Sequence, residues 1–221
     1  MTLTDAIAKT YLLAEGKGTA PAATSNKYAK IVGMLNIAQE LWQDEPDTEW
    51  DSLYSTVTLA STVSATDTYA LGATVREISH RDNDYVKIVT SSNTTYIPLV
   101  RADELNANGA NGEQVCAKIG SNLVFSIAFT ASSPEFGGTI KVPAYTYVPT
   151  LSSGNDVLDV DKPLWACYMA AAEYCRTSTS LSYRTDELVQ RANQIMQDMK
   201  QAQQGSQTMP VMYVNGNGRT W

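Results

Sequence analysis

His80 is the only histidine among the 221 residues. Metal sites usually need histidines or closely spaced cysteines, and neither is present here. A Ser-His-Asp triad would have to use His80, yet the chain has no Gly-x-Ser-x-Gly elbow. Its neighbours Arg81, Asp82 and Asp84 mark it as a surface-loop residue. Cysteine is scarce too. Cys116 stands alone, and Cys167 and Cys175 lie eight apart in an apolar run, so buried free thiols are expected in a chain made in a reducing cytoplasm. Basic residues are the minority, 16 against 23 acidic, for a net charge of −7. That argues against tight sequence-independent binding to DNA, which basic residues drive, though not against standing beside DNA as a neutral wall. No apolar run approaches the roughly 20 residues of a membrane span. Met1–Ala6 lacks the basic region and apolar stretch of a signal peptide. No internal repeat or low-complexity tract is present.

The remaining chemical motifs are weak. Asp156, Asp159 and Asp161 are spaced like parts of a calcium loop, but the glycine and the closing glutamate are out of register, so they are expected to be loop acids ahead of a helix. Gly16-Lys17-Gly18-Thr19 follows a helix and lacks the spacing of a phosphate loop. Glu45, Asp47, Glu49 and Asp51 flank Trp42 and Trp50, as in a sugar cleft, but helix-end acids beside core tryptophans explain them as well. Asn93-Thr94-Thr95 fits a glycosylation acceptor, which means little without a secretion signal. No catalytic, cofactor-binding or metal-binding residue emerges. The expectation is a structural or interaction protein, not an enzyme.

What the chain does have is helix. Asp161-Lys162-Pro163 is a start signal: proline suits a first turn, and a carboxylate favours the positive end of the helix dipole. From Leu164 to Cys175 only Glu173 is charged, so this helix is expected to be covered on every face, with Leu164 and Trp165 in the core. A second helix, Thr185 to Ala202, carries Leu188, Ala192, Ile195, Met199 and Ala202 on one stripe with Met196 beside it, and Gly205 is its expected stop. Near the start, Thr4 is expected to cap a helix from Asp5 to Glu15 closed by Gly16. After a loop over residues 16–23, Thr24 or Ser25 caps a longer helix to Gln43, with Tyr28, Ile31, Val32, Leu35, Ala38, Leu41 and Trp42 as its apolar face.

From Trp50 the period changes from 3.6 to 2. Strands are expected around Val57–Leu59, Tyr69–Leu71, Val75–Ile78, Tyr85–Val89, Tyr96–Val100, Val115–Ile119, Leu123–Phe129 and Thr139–Val148, with Asn106–Gly112 as a turn-rich loop. The fold class is therefore α+β: a helical bundle from the N- and C-terminal helices, an inserted antiparallel β-sandwich or barrel-like module, and an extended C-terminal arm. The expected division is residues 1–50 and 151–204 for the two bundle halves, 51–150 for the β module and 205–221 for the arm. In that arm Met209, Pro210, Val211, Met212, Tyr213, Val214, Arg219 and Trp221 are the candidate docking residues for a partner.

This layout resembles a known family. A helical pair ending in Trp-x₇-Trp (Trp42, Trp50) leads into a β module. A strand ending Tyr-Thr-Tyr-Val-Pro (Tyr145 to Pro149), a linker rich in leucine and aspartate, a helix opening Pro-Leu-Trp (Pro163 to Trp165) and an amphipathic helix follow. The order is similar to that of the head-to-tail adaptor (connector) proteins of tailed bacteriophages, the tail-tubular-A-like group. The resemblance implies a homo-oligomeric ring of twelve copies beneath the portal protein, at the head-tail junction of the virion, assembled in the host cytoplasm. The C-terminal arm would dock on the portal or an adjacent subunit, a downstream neck or tail protein would bind below, and DNA would pass through without specific binding. No membrane is involved. Two other readings stay open: a neck stopper or tail-terminator ring protein, and a carbohydrate-binding or hydrolytic domain using the β module and its tyrosines.

Overall fold

The computed structural model describes residues 1–46, 48–81 and 84–207, the last three by backbone alone. Among these residues are five helices: α1 (Leu3–Glu15), α2 (Asn26–Gln43), α3 (Leu105–Ala110), α4 (Pro163–Arg176) and α5 (Thr185–Gln207). The eight strands are β1 (Tyr54–Ser61), β2 (Thr68–Ala70), β3 (Val75–Ile78), β4 (Tyr85–Val89), β5 (Thr94–Pro98), β6 (Cys116–Ile119), β7 (Asn122–Phe125) and β8 (Thr139–Thr146). The fold is α+β, with two antiparallel sheets and no closed barrel among the described residues. The chain forms two compact units, one from Met1–Asp51 plus the chain from Pro149 onward, the other Ser52–Val148.

In the helical unit, α1 is capped by Thr2 and not by Thr4. The Thr2 hydroxyl oxygen accepts from the Asp5 N–H at 3.2 Å and donates to the Asp5 carboxylate at 2.7 Å. The sequence Thr-x-x-Asp at 2–5 is the capping pair, and Thr4 instead donates to the Gly154 carbonyl at 3.0 Å. Gly16 ends the helix at φ +71°, a conformation that costs glycine little. Ser25 caps α2 by accepting from the Tyr28 N–H at 3.2 Å. Proline opens α4 as expected.

Helix α4 contacts α1, α2 and α5. Its buried face is made of small side chains: Ala166, Cys167, Ala170, Ala171, Ala172 and Cys175, with Trp165 and Tyr174 at the ends. Small residues let backbones approach. The Cys167 and Cys175 thiols lie 3.8 Å from the carbonyls of Ala6 and Ala14. Both pairs are spaced by eight in the same sense, so α1 and α4 run parallel. Leu164, Tyr168, Met169 and Glu173 are only half-buried, so the helix is not covered all round and Leu164 is not a core residue. The buried row of α5 is Leu188, Ala192, Met196, Met199 and Gln203, with Ala202 exposed. The row turns by one residue at its end because the Gln203 amide donates to the Glu49 carbonyl at 2.8 Å. Gly205 does not stop α5, which continues to Gln207. A single glycine costs a helix only about 1 kcal/mol relative to alanine.

On α2, Leu41 is exposed, not part of the buried face, and Gln39 and Gln43 are buried instead. Asn36 and Gln39 have partners in the linker to α4. Asn36 accepts from the Leu151 N–H at 2.8 Å and donates to its carbonyl at 3.1 Å. Gln39 donates to the Pro149 carbonyl at 3.4 Å and accepts from the Asp159 N–H at 3.1 Å. The linker also pairs with the N-terminus through Leu3 N–H to Asp156 O at 2.7 Å and Leu158 N–H to Met1 O at 3.1 Å. Leu151, Leu158 and Val160 are buried there.

The β unit is organised on β8. One edge of β8 pairs with β1, and the other is shared by β4 over Thr139–Lys141 and β3 over Ala144–Thr146. Strand β5 extends the sheet from β4, and β2, β7 and β6 form a second sheet. One core cluster draws on both, including Tyr69, Val86, Ile88, Leu123, Phe125, Ile140 and Val142. The expected strand Leu123–Phe129 stops at Phe125. Ser126 diverts it: its hydroxyl accepts from the Val115 N–H at 3.0 Å and donates to the Glu113 carbonyl at 2.7 Å. Phe129 still returns to pack on Phe125, ring centres 4.9 Å apart. The expected loop at 106–112 contains α3, anchored by buried Leu105. Gly109 there lies so close to Ser126 that a Cβ would sit 2.8 Å from its carbonyl oxygen.

Candidate interaction surfaces

The eight candidate docking residues of the arm, Met209 to Val214, Arg219 and Trp221, lie outside the described residues. The helical unit itself presents three concave surfaces.

The first, a cavity of about 600 Å³, collects residues from three segments: Glu15 and Lys17 at the end of α1, Asn26, Lys27 and Lys30 on α2, and Tyr174 on α4 with Thr177, Ser178, Ser180 and Leu181 after it. Glu15 forms its floor. Its carboxylate accepts from Lys27 at 2.7 Å and Tyr174 at 2.6 Å, and Lys17 lies 3.2 Å away. Burial alone would raise the Glu15 carboxyl, but hydrogen bonds from Lys27, Tyr174, Tyr11 and Lys17 outweigh it and lower the pKa to about 2. The same carboxylate raises Lys27, while Tyr174 is pushed up to about 12, first by burial and then by Glu15. Lys30 donates to the Thr177 hydroxyl at 2.6 Å and sits 5.3 Å from the Tyr174 ring centre.

The second groove, about 400 Å³, lies between α1, α4 and α5 and holds the half-buried Leu164 and Tyr168. The third, about 570 Å³, lies between α2, α4 and α5; Leu41 is exposed there beside Asp44 and Glu45, with half-buried Met169 and buried Met196 in its wall. Glu45 pairs with Lys200 across it. Ile37, one turn before Leu41 on α2, is 52 % exposed.

The residues weighed for catalysis are placed otherwise. Trp42 and Trp50 are buried and stacked, ring centres 4.9 Å apart, and the Trp50 indole N–H donates to the Trp42 carbonyl at 2.7 Å. They are core, not a sugar platform. Asp156 is a turn residue: it accepts from the N–H groups of Ser152 and Ser153, both at 2.7 Å, which lower its pKa. No group of three potential metal ligands occurs among the described residues. His80 is exposed. The three thiols are free and buried, and burial pushes Cys116 up to about 12 and Cys167 to about 11 and raises Cys175. In the β unit, Arg81 lies over the rings of Tyr54 and Tyr145, and Tyr54 donates to Asp84 at 2.8 Å. The adjoining cavity of about 40 Å³ has room on the order of a water molecule, not a sugar ring. No helix among the described residues is long and apolar enough to cross a membrane.

Comparison with family models finds none that matches this chain. Comparison with curated proteins likewise finds no match.

Proposed function

We propose that this chain is a structural virion protein: a head-to-tail adaptor that assembles as a ring beneath the portal and continues the DNA channel from capsid vertex to tail. The observation that carries the reading is the gathering of α1, α2 and α5 around α4, so that helices from both ends of the sequence share one unit and the β unit is an insertion between them. That is the order of elements the resemblance implies. Exposed apolar residues on the helical unit, Ile37 and Leu41, suit a protein that works in contact with others. A net charge of −7 suits a wall past which DNA slides.

In this proposal the helical unit is the ring body, and residues 208–221 form the arm that docks on the portal or an adjacent subunit. Deleting 208–221 tests it. The shortened chain should keep the melting temperature of the full chain and lose its attachment to particles. A shortened chain that unfolds, or that still assembles into infectious particles, would sink the docking role.

A further inference from the structure

Helix α2 carries its charges against its own dipole. The backbone favours anions at a helix N-terminus and cations at its C-terminus. Here Lys27 stands in the first turn with Lys30 after it, and Glu40 stands in the last turn with Asp44 at the cap and Glu45, itself paired with Lys200, beyond. Helix stability does not explain this order. Lys27 is answered within the chain by Glu15. Lys30 is not: its partners are the Thr177 hydroxyl and the face of Tyr174, and no carboxylate among the described residues pairs with it. Glu40, at the far end, is exposed and has no cation partner among the described residues. The two ends are about 27 Å apart at 1.5 Å per residue, beyond the reach of a screened interaction at physiological salt. Within one chain they cannot neutralise each other. Between copies they can.

We infer that the lysine cavity of one copy receives the acidic C-terminal end of α2, Glu40 to Glu45, of a second copy. The cavity holds three ammonium groups against one carboxylate and opens beside the hydrogen-bonded hydroxyls of Ser178 and Ser180, one of which keeps a proton for an incoming carboxylate. The two patches differ, so a head-to-tail contact between them is heterologous, and repeated with a rotation that closes it makes the ring proposed above. A nucleic acid is the weaker occupant, because Glu15 lines the floor and the chain as a whole is acidic. The inference rests on the ring reading proposed above.

Two charge-reversed full-length variants test it. Lys17→Glu with Lys30→Glu inverts the cavity and leaves Lys27 to hold Glu15; Glu40→Lys with Asp44→Lys inverts the acidic end. Assembly is read by native mass spectrometry and sedimentation at low salt, with melting curves as the control on folding. The wild type should form closed oligomers that weaken as salt rises. Each variant alone should lose them, and an equimolar mixture should regain them as alternating copies. If a variant melts early, the neutral pair Lys30→Gln and Glu40→Gln replaces it, and each neutral variant alone should lose both assembly strength and salt dependence. Variants that assemble like wild type, or a well-folded mixture that stays monomeric, overturn this contact while leaving the ring intact. So does a cavity whose lysines shift only on adding inorganic phosphate or an oligonucleotide. A wild type that stays monomeric in solution overturns this contact, and the ring reading is then decided on the intact particle, where a ring can assemble on its portal.

Discussion

In the β unit, large side chains converge on one cluster, Phe125, Phe129, Ile88, Ile140 and Leu123, while the backbone of β8 is paired along both edges. In the helical unit, the central helix α4 buries alanines and cysteines, and much of the rest is tied by side-chain amides holding the backbone of residues 149–159 against α2. The β unit packs this cluster densely but leaves Val63, Tyr96, Ile119, Phe136 and Tyr147 exposed. The helical unit leaves Ile37 and Leu41 exposed and sets opposite charges at the two ends of α2. A helix that needed only stability would reverse that order of charge. The order of charge along α2, not apolar exposure, is what sets the helical unit apart.

The largest effect should come from the one big side chain on the buried face near the start of α4. Trp165 is 3 % exposed, and Trp165→Ala should cost about 3–5 kcal/mol in denaturant unfolding. Its half-buried neighbour Leu164 should cost distinctly less on truncation. Equal losses would mean that α4 is covered more evenly than its exposure pattern indicates.

Next is the β unit's most crowded glycine. A Cβ on Gly138 would lie 2.6 Å from the Ile88 side chain and 2.9 Å from the Glu135 carbonyl. Gly138→Ala should therefore destabilise by about 1–3 kcal/mol, as overpacking does. A neutral result would show that the β4–β8 region yields more readily than a close-packed sheet core.

The smallest effect concerns pH. The Glu15 pKa is depressed to about 2 from a usual 4.5, so its contribution to stability is complete above about 4.5 and fades as pH falls toward 2. Glu15→Gln should lower stability at neutral pH and flatten the melting profile between pH 4.5 and 2. Parallel profiles for wild type and variant would show that the carboxylate is not the group holding Lys27 and Tyr174.

The elements were legible wherever a local rule governs. Pro163 and Ser25 mark helix starts, and the alternation of Val75–Ile78 and Tyr85–Val89 gives β3 and β4 at their observed limits. The reading failed where a distant partner decides. Leu41 fits the apolar period of α2, but nothing covers it, while Asn36 and Gln39 break the period because the linker needs their amides. Ser126 ends β7 by bonding to the chain eleven residues back. Gly109 sits in a helix where composition reads as loop. The lysine cavity was not legible, since its residues come from three separate segments. The only sequence signal was the order of charge along α2, lysines first and acids last.

The adaptor reading is tested most directly by electron microscopy of the intact particle that carries this chain, with the chain located by a label or by its fitted helical unit. The account predicts a ring of copies between the capsid vertex and the tail, coaxial with the portal. A particle that lacks the chain, or that holds it away from the head-tail junction, would contradict it.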